Sequence, residues 1–138
     1  MTSRFDRDNY RDVLGDTHDH DFDIDHAEHD PLTGIWQIPF SSQVLEGCGC
    51  IGCLAAPLSF LSLIFLPNRN RPPRHPMDRI LKVTHVRSWS CDDRAKIGIN
   101  DLNTVDFDAR QSRLTLEFNA DCEVFLEVEP DFEIVLEP

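Results

Sequence analysis

Gly47-Cys48-Gly49-Cys50-Ile51-Gly52-Cys53-Leu54-Ala55-Ala56-Pro57-Leu58-Ser59-Phe60-Leu61-Ser62-Leu63-Ile64-Phe65-Leu66 contains no charged residue. A helix rises about 1.5 Å per residue, so such a run matches a hydrocarbon core about 30 Å thick. Core helices of globular proteins seldom run this far without a polar face. The reading that follows is one transmembrane helix over 47–66, kinked at Pro57, where neighbouring helices can satisfy the freed carbonyl. A buried or interfacial helix is the alternative.

Outward from that run the chain changes character on both sides. Residues 67–78 carry Arg69, Arg71 and Arg74 among prolines that exclude regular helix, and read as a linker. Cations flank the cytoplasmic end of membrane spans. This orients the N-terminus outside (periplasm or lumen) and the C-terminal part in the cytoplasm. On the other side, residues 32–46 include Trp36 and Phe40, aromatic rings that suit a headgroup zone. With Arg69, Arg71 and Arg74 they make up the expected membrane interface. Residues 1–31 are crowded with aspartate and poor in aliphatics, and read as a disordered acidic tail. No apolar stretch near the N-terminus resembles a signal peptide.

Residues 79–138 alternate with a period of two. Leu114, Leu116 and Phe118 alternate with Thr115 and Glu117, and Cys122, Val124, Leu126 and Val128 with Glu123, Phe125 and Glu127. Phe132, Ile134 and Leu136 continue the pattern. Such alternation marks half-buried strands. Turn-like breaks at 109–112, 119–121 and 129–131 have hairpin length. The fold class expected is therefore a single transmembrane helix plus a small all-β domain, an antiparallel meander or small barrel of five or six strands. About sixty residues is close to the lower limit for independent stability, which favours a stabilising partner.

Several constellations could carry chemistry. Cys48, Cys50 and Cys53 have the spacing of a thiolate metal site, but such a site ordinarily needs a fourth ligand. The packing alternative is that Cys48, Gly49, Gly52, Cys53 and Ala56 form a small-residue face on which another helix docks. Lipid attachment to the thiols is a third possibility. His18, His20, His26 and His29, interleaved with aspartates, could bind divalent cations, against the plainer reading of a solvated tail. The glutamates Glu117, Glu123, Glu127, Glu129, Glu133 and Glu137 would share an outer strand face and could meet a basic partner; an ordinary solvated face is the alternative. No nucleophile elbow, P-loop, dinucleotide fingerprint or zinc-protease helix is present.

The net charge of −12 opposes nucleic acid as a partner, since duplex binding rests on neutralising phosphates. Together these features predict a non-enzymatic, single-pass accessory subunit of a larger membrane complex, with other membrane subunits and lipid as partners. No cofactor is expected beyond a metal ion at the cysteine cluster. In layout (short outside tail, one span, cytoplasmic β domain) the chain resembles the H subunit of bacterial photosynthetic reaction centres. That resemblance implies a photosynthetic or respiratory energy-converting complex; it extends to no motif. The two rivals are a metal- or redox-linked membrane protein using Cys48, Cys50 and Cys53, and a soluble subunit of a large particle that buries the apolar run.

Overall fold

The computed structural model describes residues 1–44 and 76–138. They form strands β1 (Ser3–Phe5), β2 (His20–Asp23), β3 (Glu28–Asp30), β4 (Ile35–Val44), β5 (Arg79–Val83), β6 (Val86–Asp93), β7 (Ile99–Asp108), β8 (Arg113–Phe118), β9 (Cys122–Val128) and β10 (Ile134–Glu137). A 3-10 turn at Tyr10–Asp12 runs into the short helix α1, Val13–Thr17. All pairings are antiparallel, in the order β1-β10-β5-β4-β2-β7-β8-β9-β6, with β3 added on β4.

β5 and β6 are separated by only Thr84 and His85, yet β6 ends the strand path and β5 lies near its beginning. The sheet therefore curls back on itself through this corner. His85 takes the left-handed conformation (φ 57°). The corner is held by Thr84 N–H donating to the Glu133 carbonyl (2.9 Å) and Glu129 N–H donating to the His85 carbonyl (3.0 Å). The enclosed core draws on both halves of the chain. Phe22 of β2 stacks on Phe40 of β4 (4.9 Å) and meets Phe118 of β8 edge-on (5.5 Å). In β8 and β9 burial follows the alternation of the sequence: Leu114, Leu116, Phe118, Cys122, Val124, Leu126 and Val128 point inward.

Three expectations are overturned. The tail over 1–31 is not disordered. Four of its apolar residues, Phe5, Val13, Phe22 and Ile24, are buried in the common core, and Tyr10, Leu14 and Ala27 pack against it. Its aspartates build turns: Asp6 accepts from Asp8 N–H (2.9 Å), and Asp30 from Leu32 N–H and the Thr33 hydroxyl (both 3.0 Å). Composition suggested disorder because each apolar residue finds its partner far away in sequence, as when Ser3–Phe5 pairs with Ile134–Leu136.

Second, residues 32–46 do not read as an interfacial segment. Most of them form β4, and Trp36, Ile38 and Phe40 are fully buried. The small β domain expected over 79–138 is thus only part of one sheet that also includes residues 3–44.

Third, the single-pass topology fails. β4 and β5 are neighbouring antiparallel strands, with Trp36 opposite Val83 and Phe40 opposite Arg79. Past that ladder, Ser42 N–H donates to the Asp78 carboxylate (2.7 Å), and the Ser42 hydroxyl donates to the same group. The chain thus leaves β4 and re-enters β5 at one end of the sheet. The flanks lie about 5 Å apart, the spacing of neighbouring strands, whereas a single span would hold them about 30 Å apart across a bilayer. An N-terminus outside and a C-terminal domain inside cannot share this sheet. The predicted span over 47–66 lies outside the described residues, and among those no helix is long and apolar enough to cross a membrane. The single-pass membrane localisation expected from the sequence is therefore not supported by the structure.

This topology predicts that residues 45–75 are dispensable for folding. Replacing them with about six Gly/Ser residues, a usual loop length, should preserve the β-sheet circular dichroism and a cooperative melt. Loss of both would refute the β4–β5 pairing. Gly98 has φ +79°, and a Cβ there would lie 2.6 Å from Asp25 Oδ2. Gly98→Ala should cost about 1–2 kcal/mol, read by denaturant titration, chiefly because the left-handed conformation penalises a side chain.

Candidate functional site

The outer face of β7-β8-β9-β6 is organised by register. Residues directly opposite in antiparallel strands project on the same side. Thr104 lies opposite Glu117, Glu117 opposite Glu123, and Glu123 opposite Asp92. One rung across four strands therefore carries three carboxylates. The only neutral member, Thr104, donates its hydroxyl to Glu117 (3.0 Å). Asp92 is paired with Arg94 (3.2 Å). Among the described residues, neither Glu117 nor Glu123 has a cationic partner. The other glutamates of the predicted acidic set differ: Glu129 pairs with Arg87 (3.3 Å), Glu133 with Arg4 (3.3 Å), and Glu137 with Lys82, while Glu127 lies opposite Arg113.

Beside this rung is a cleft of about 250 Å³ lined by Asp92, Arg94, Glu117, Asn119, Asp121 and Glu123. Its lip is the β8–β9 turn, where Ala120 and Asp121 both take φ 56°. This conformation is tolerated by aspartate and uncommon for alanine.

A second polar group lies inside the fold, around β2. Among the described residues, the buried polar ones are Thr17, His20, Asp21, Ser41 and Asn100. His20 donates from Nδ1 to the Ser41 carbonyl and sets its ring edge-on to Phe40 (5.8 Å). Asn100 donates to the Asn119 carbonyl and accepts from Asp101 N–H (2.9 Å). Asp21 lies directly opposite Asp101. Burial pushes the Asp101 carboxyl above the usual carboxylate range, and the charges of Asp21 and Asp19 add to this.

The histidines read as a possible cation site are dispersed. His18 contacts Asp19 (3.2 Å), His26 contacts Asp23 (2.7 Å), and His29 donates to the Val86 carbonyl (3.0 Å). Among the described residues no three His, Cys, Asp or Glu side chains come together as a metal site. Cys48, Cys50, Cys53, Gly49, Gly52, Ala56, Arg69, Arg71 and Arg74 lie outside the described residues, while Trp36 and Phe40 are core residues. Cys91 and Cys122 are free thiols. Burial pushes the Cys122 thiol up to about 12, so it is protonated at neutral pH and a poor nucleophile.

Asp92 and the Asp21–Asp101 pair were not among the residues singled out from sequence. The signal that would have found them is strand register, which requires the partners of β6 and β2 to be known.

Asp101 yields a pH prediction. Its folded-state value is raised, so its protonated form stabilises the fold below the ordinary carboxylate value, and this contribution is lost as pH rises through the raised value. Asp101→Asn should therefore raise Tm at pH 7, with the gain disappearing by about pH 3, below the ordinary Asp value. An equal gain at both pH values would exclude this cause.

Compared with models of known protein families, with curated proteins and with solved structures, the chain matches none.

Proposed function

We propose that this protein acts by docking: it is a non-catalytic accessory subunit of a larger protein assembly, and its acidic β6-β9-β8-β7 face meets a basic surface of its partner. The observation that carries this reading is the Asp92–Glu123–Glu117 rung. Like charges directly opposite on neighbouring strands are destabilising, by roughly 0.2–1 kcal/mol per pair. Elsewhere on the surface glutamates are set beside Arg87, Arg4 and Lys82. A rung whose two glutamates have no cationic partner among the described residues is suited to a cationic surface that supplies the missing charge. The overall −12 would speed such an encounter by electrostatic steering. It would oppose a nucleic-acid partner, whose phosphates carry the same sign. On the non-catalytic part of the reading, two of the groups able to act as base or nucleophile are occupied. His20 is engaged with a backbone carbonyl, and Cys122 is held protonated.

The test is a trade-off between stability and binding. Glu117→Gln combined with Glu123→Gln should stabilise the fold by about 0.2–1 kcal/mol, because the like-charge pair is removed. It should also weaken binding of an oligolysine peptide and flatten the salt dependence of that binding, measured by titration calorimetry at two ionic strengths. Unchanged peptide affinity and salt dependence in the double variant would refute this role for the rung.

A further inference from the structure

We propose that the free edge of β6 binds an extended, lysine- or arginine-bearing polypeptide segment as an added antiparallel or parallel strand. This proposal rests on the docking reading above and names its mode.

Among the described residues β6 is paired along one side only, with β9. The phase of that ladder determines which groups remain available. Arg94 N–H donates to the Asp121 carbonyl (3.3 Å), which continues the β6–β9 register by one residue. Main-chain groups in an antiparallel ladder alternate between the two sides. Those of Asp92, Ser90 and Ser88 therefore turn toward β9, and those of Trp89, Cys91 and Asp93 turn outward. A register shift between Val86 and Ser88 resets the phase, so Val86 also faces outward. Its N–H donates to the Gly34 carbonyl (2.8 Å), and its carbonyl accepts from His29 (3.0 Å). The β3–β4 turn thus closes one end of the edge and leaves three consecutive outward positions beyond it. Ser88, Ser90 and Cys91 are exposed.

Unpaired edges of this length template the addition of another strand. Proline and lysine, two residues that commonly blunt such edges, are absent from Val86–Asp93; its charges are Arg87, Asp92 and Asp93, and its bulge lies at the closed end, between Val86 and Ser88. Charge complementarity selects the occupant. Asp92 and Asp93 end the strand, Asp25 joins them in acting electrostatically on the Cys91 thiol, and Glu123 lies one strand further in, opposite Asp92. A segment bearing alternating cations would place them beside these carboxylates. A second copy of the chain would bring −12 against −12, which opposes self-pairing.

The probe is a blocked peptide of alternating lysine and valine, added to the full chain under reducing conditions at low salt and followed by amide NMR. The expected result is that the Trp89, Cys91 and Asp93 amides shift and gain exchange protection. The same peptide N-methylated at alternate residues, which removes the donors of one edge, should bind at least tenfold more weakly. Cys91→Pro deletes one outward N–H at a position where an edge strand tolerates proline. It should lose binding, while Cys91→Ala retains it; if Cys91→Pro fails to fold, the N-methylated peptide decides alone. N-methylated and parent peptides binding equally, with shifts confined to Thr104, Glu117 and Glu123, would overturn the edge proposal and leave the docking reading standing. No binding of the parent peptide at low salt would overturn both. Dimerisation of the full chain in sedimentation, abolished by Cys91→Pro, would assign the edge to a second copy and overturn the proposal.

Discussion

The ladder between β4 and β5 is the constraint on which the rest of this protein depends. It joins residues on either side of the long apolar run, pairing Trp36 with Val83 and Phe40 with Arg79. Through β4 it brings β2 and β3 into the sheet, and through β5 it brings in β10 and β1. Phe22, Phe40 and Phe118 can form one aromatic cluster because this ladder places their strands around a common interior. The Ser42–Asp78 contact at its end fixes where the insertion leaves the sheet and returns. The hydroxyl and amide of Ser42 also hold the Asp78 carboxyl below its usual range, as expected for a carboxylate that accepts two hydrogen bonds.

From that frame follows a separation of roles between the two faces of the sheet. The inner positions of β8 and β9 are uniformly apolar, and their burial adds to the driving force supplied by the whole core. The outer positions are free to carry charge, and they carry it unevenly. Around Glu129, Glu133 and Glu137 the charges are compensated, whereas at Glu117 and Glu123 they are not. The left-handed Ala120 and Asp121 sit at the same end of the sheet. The edge of β6, unpaired among the described residues, adjoins this region, so the face and the edge form a continuous surface.

Much of the strand content was legible in the sequence. The alternation in Leu114–Phe118 and Cys122–Val128 reports burial directly, because a strand turns successive side chains to opposite faces. The acidic outer face at Glu117 and Glu123 was legible for the same reason. The N-terminal strands were not. Three- and four-residue strands such as Ser3–Phe5 and His20–Asp23 are too short to show a period, and aspartates that build turns look like those of a solvated tail. His18, His20, His26 and His29 share a tract in sequence, yet each is drawn to a different partner once β2, β3 and the turn between them separate.

By itself, the sequence determined the inward and outward positions of the C-terminal strands, the sign of the surface charge and the presence of one long uncharged apolar run. These are properties of composition and of a two-residue period, which local chain geometry expresses directly. Only the tertiary structure decided that this run is an insertion between neighbouring strands. It also decided that the acidic tail belongs to the core and that Asp92, Glu123 and Glu117 share a rung. The physical reason is that strand pairing is non-local: its partners are chosen by hydrogen-bond registry and packing across more than a hundred residues of chain, as for Ser3 and Leu136, and no window of sequence contains both sides of the contact.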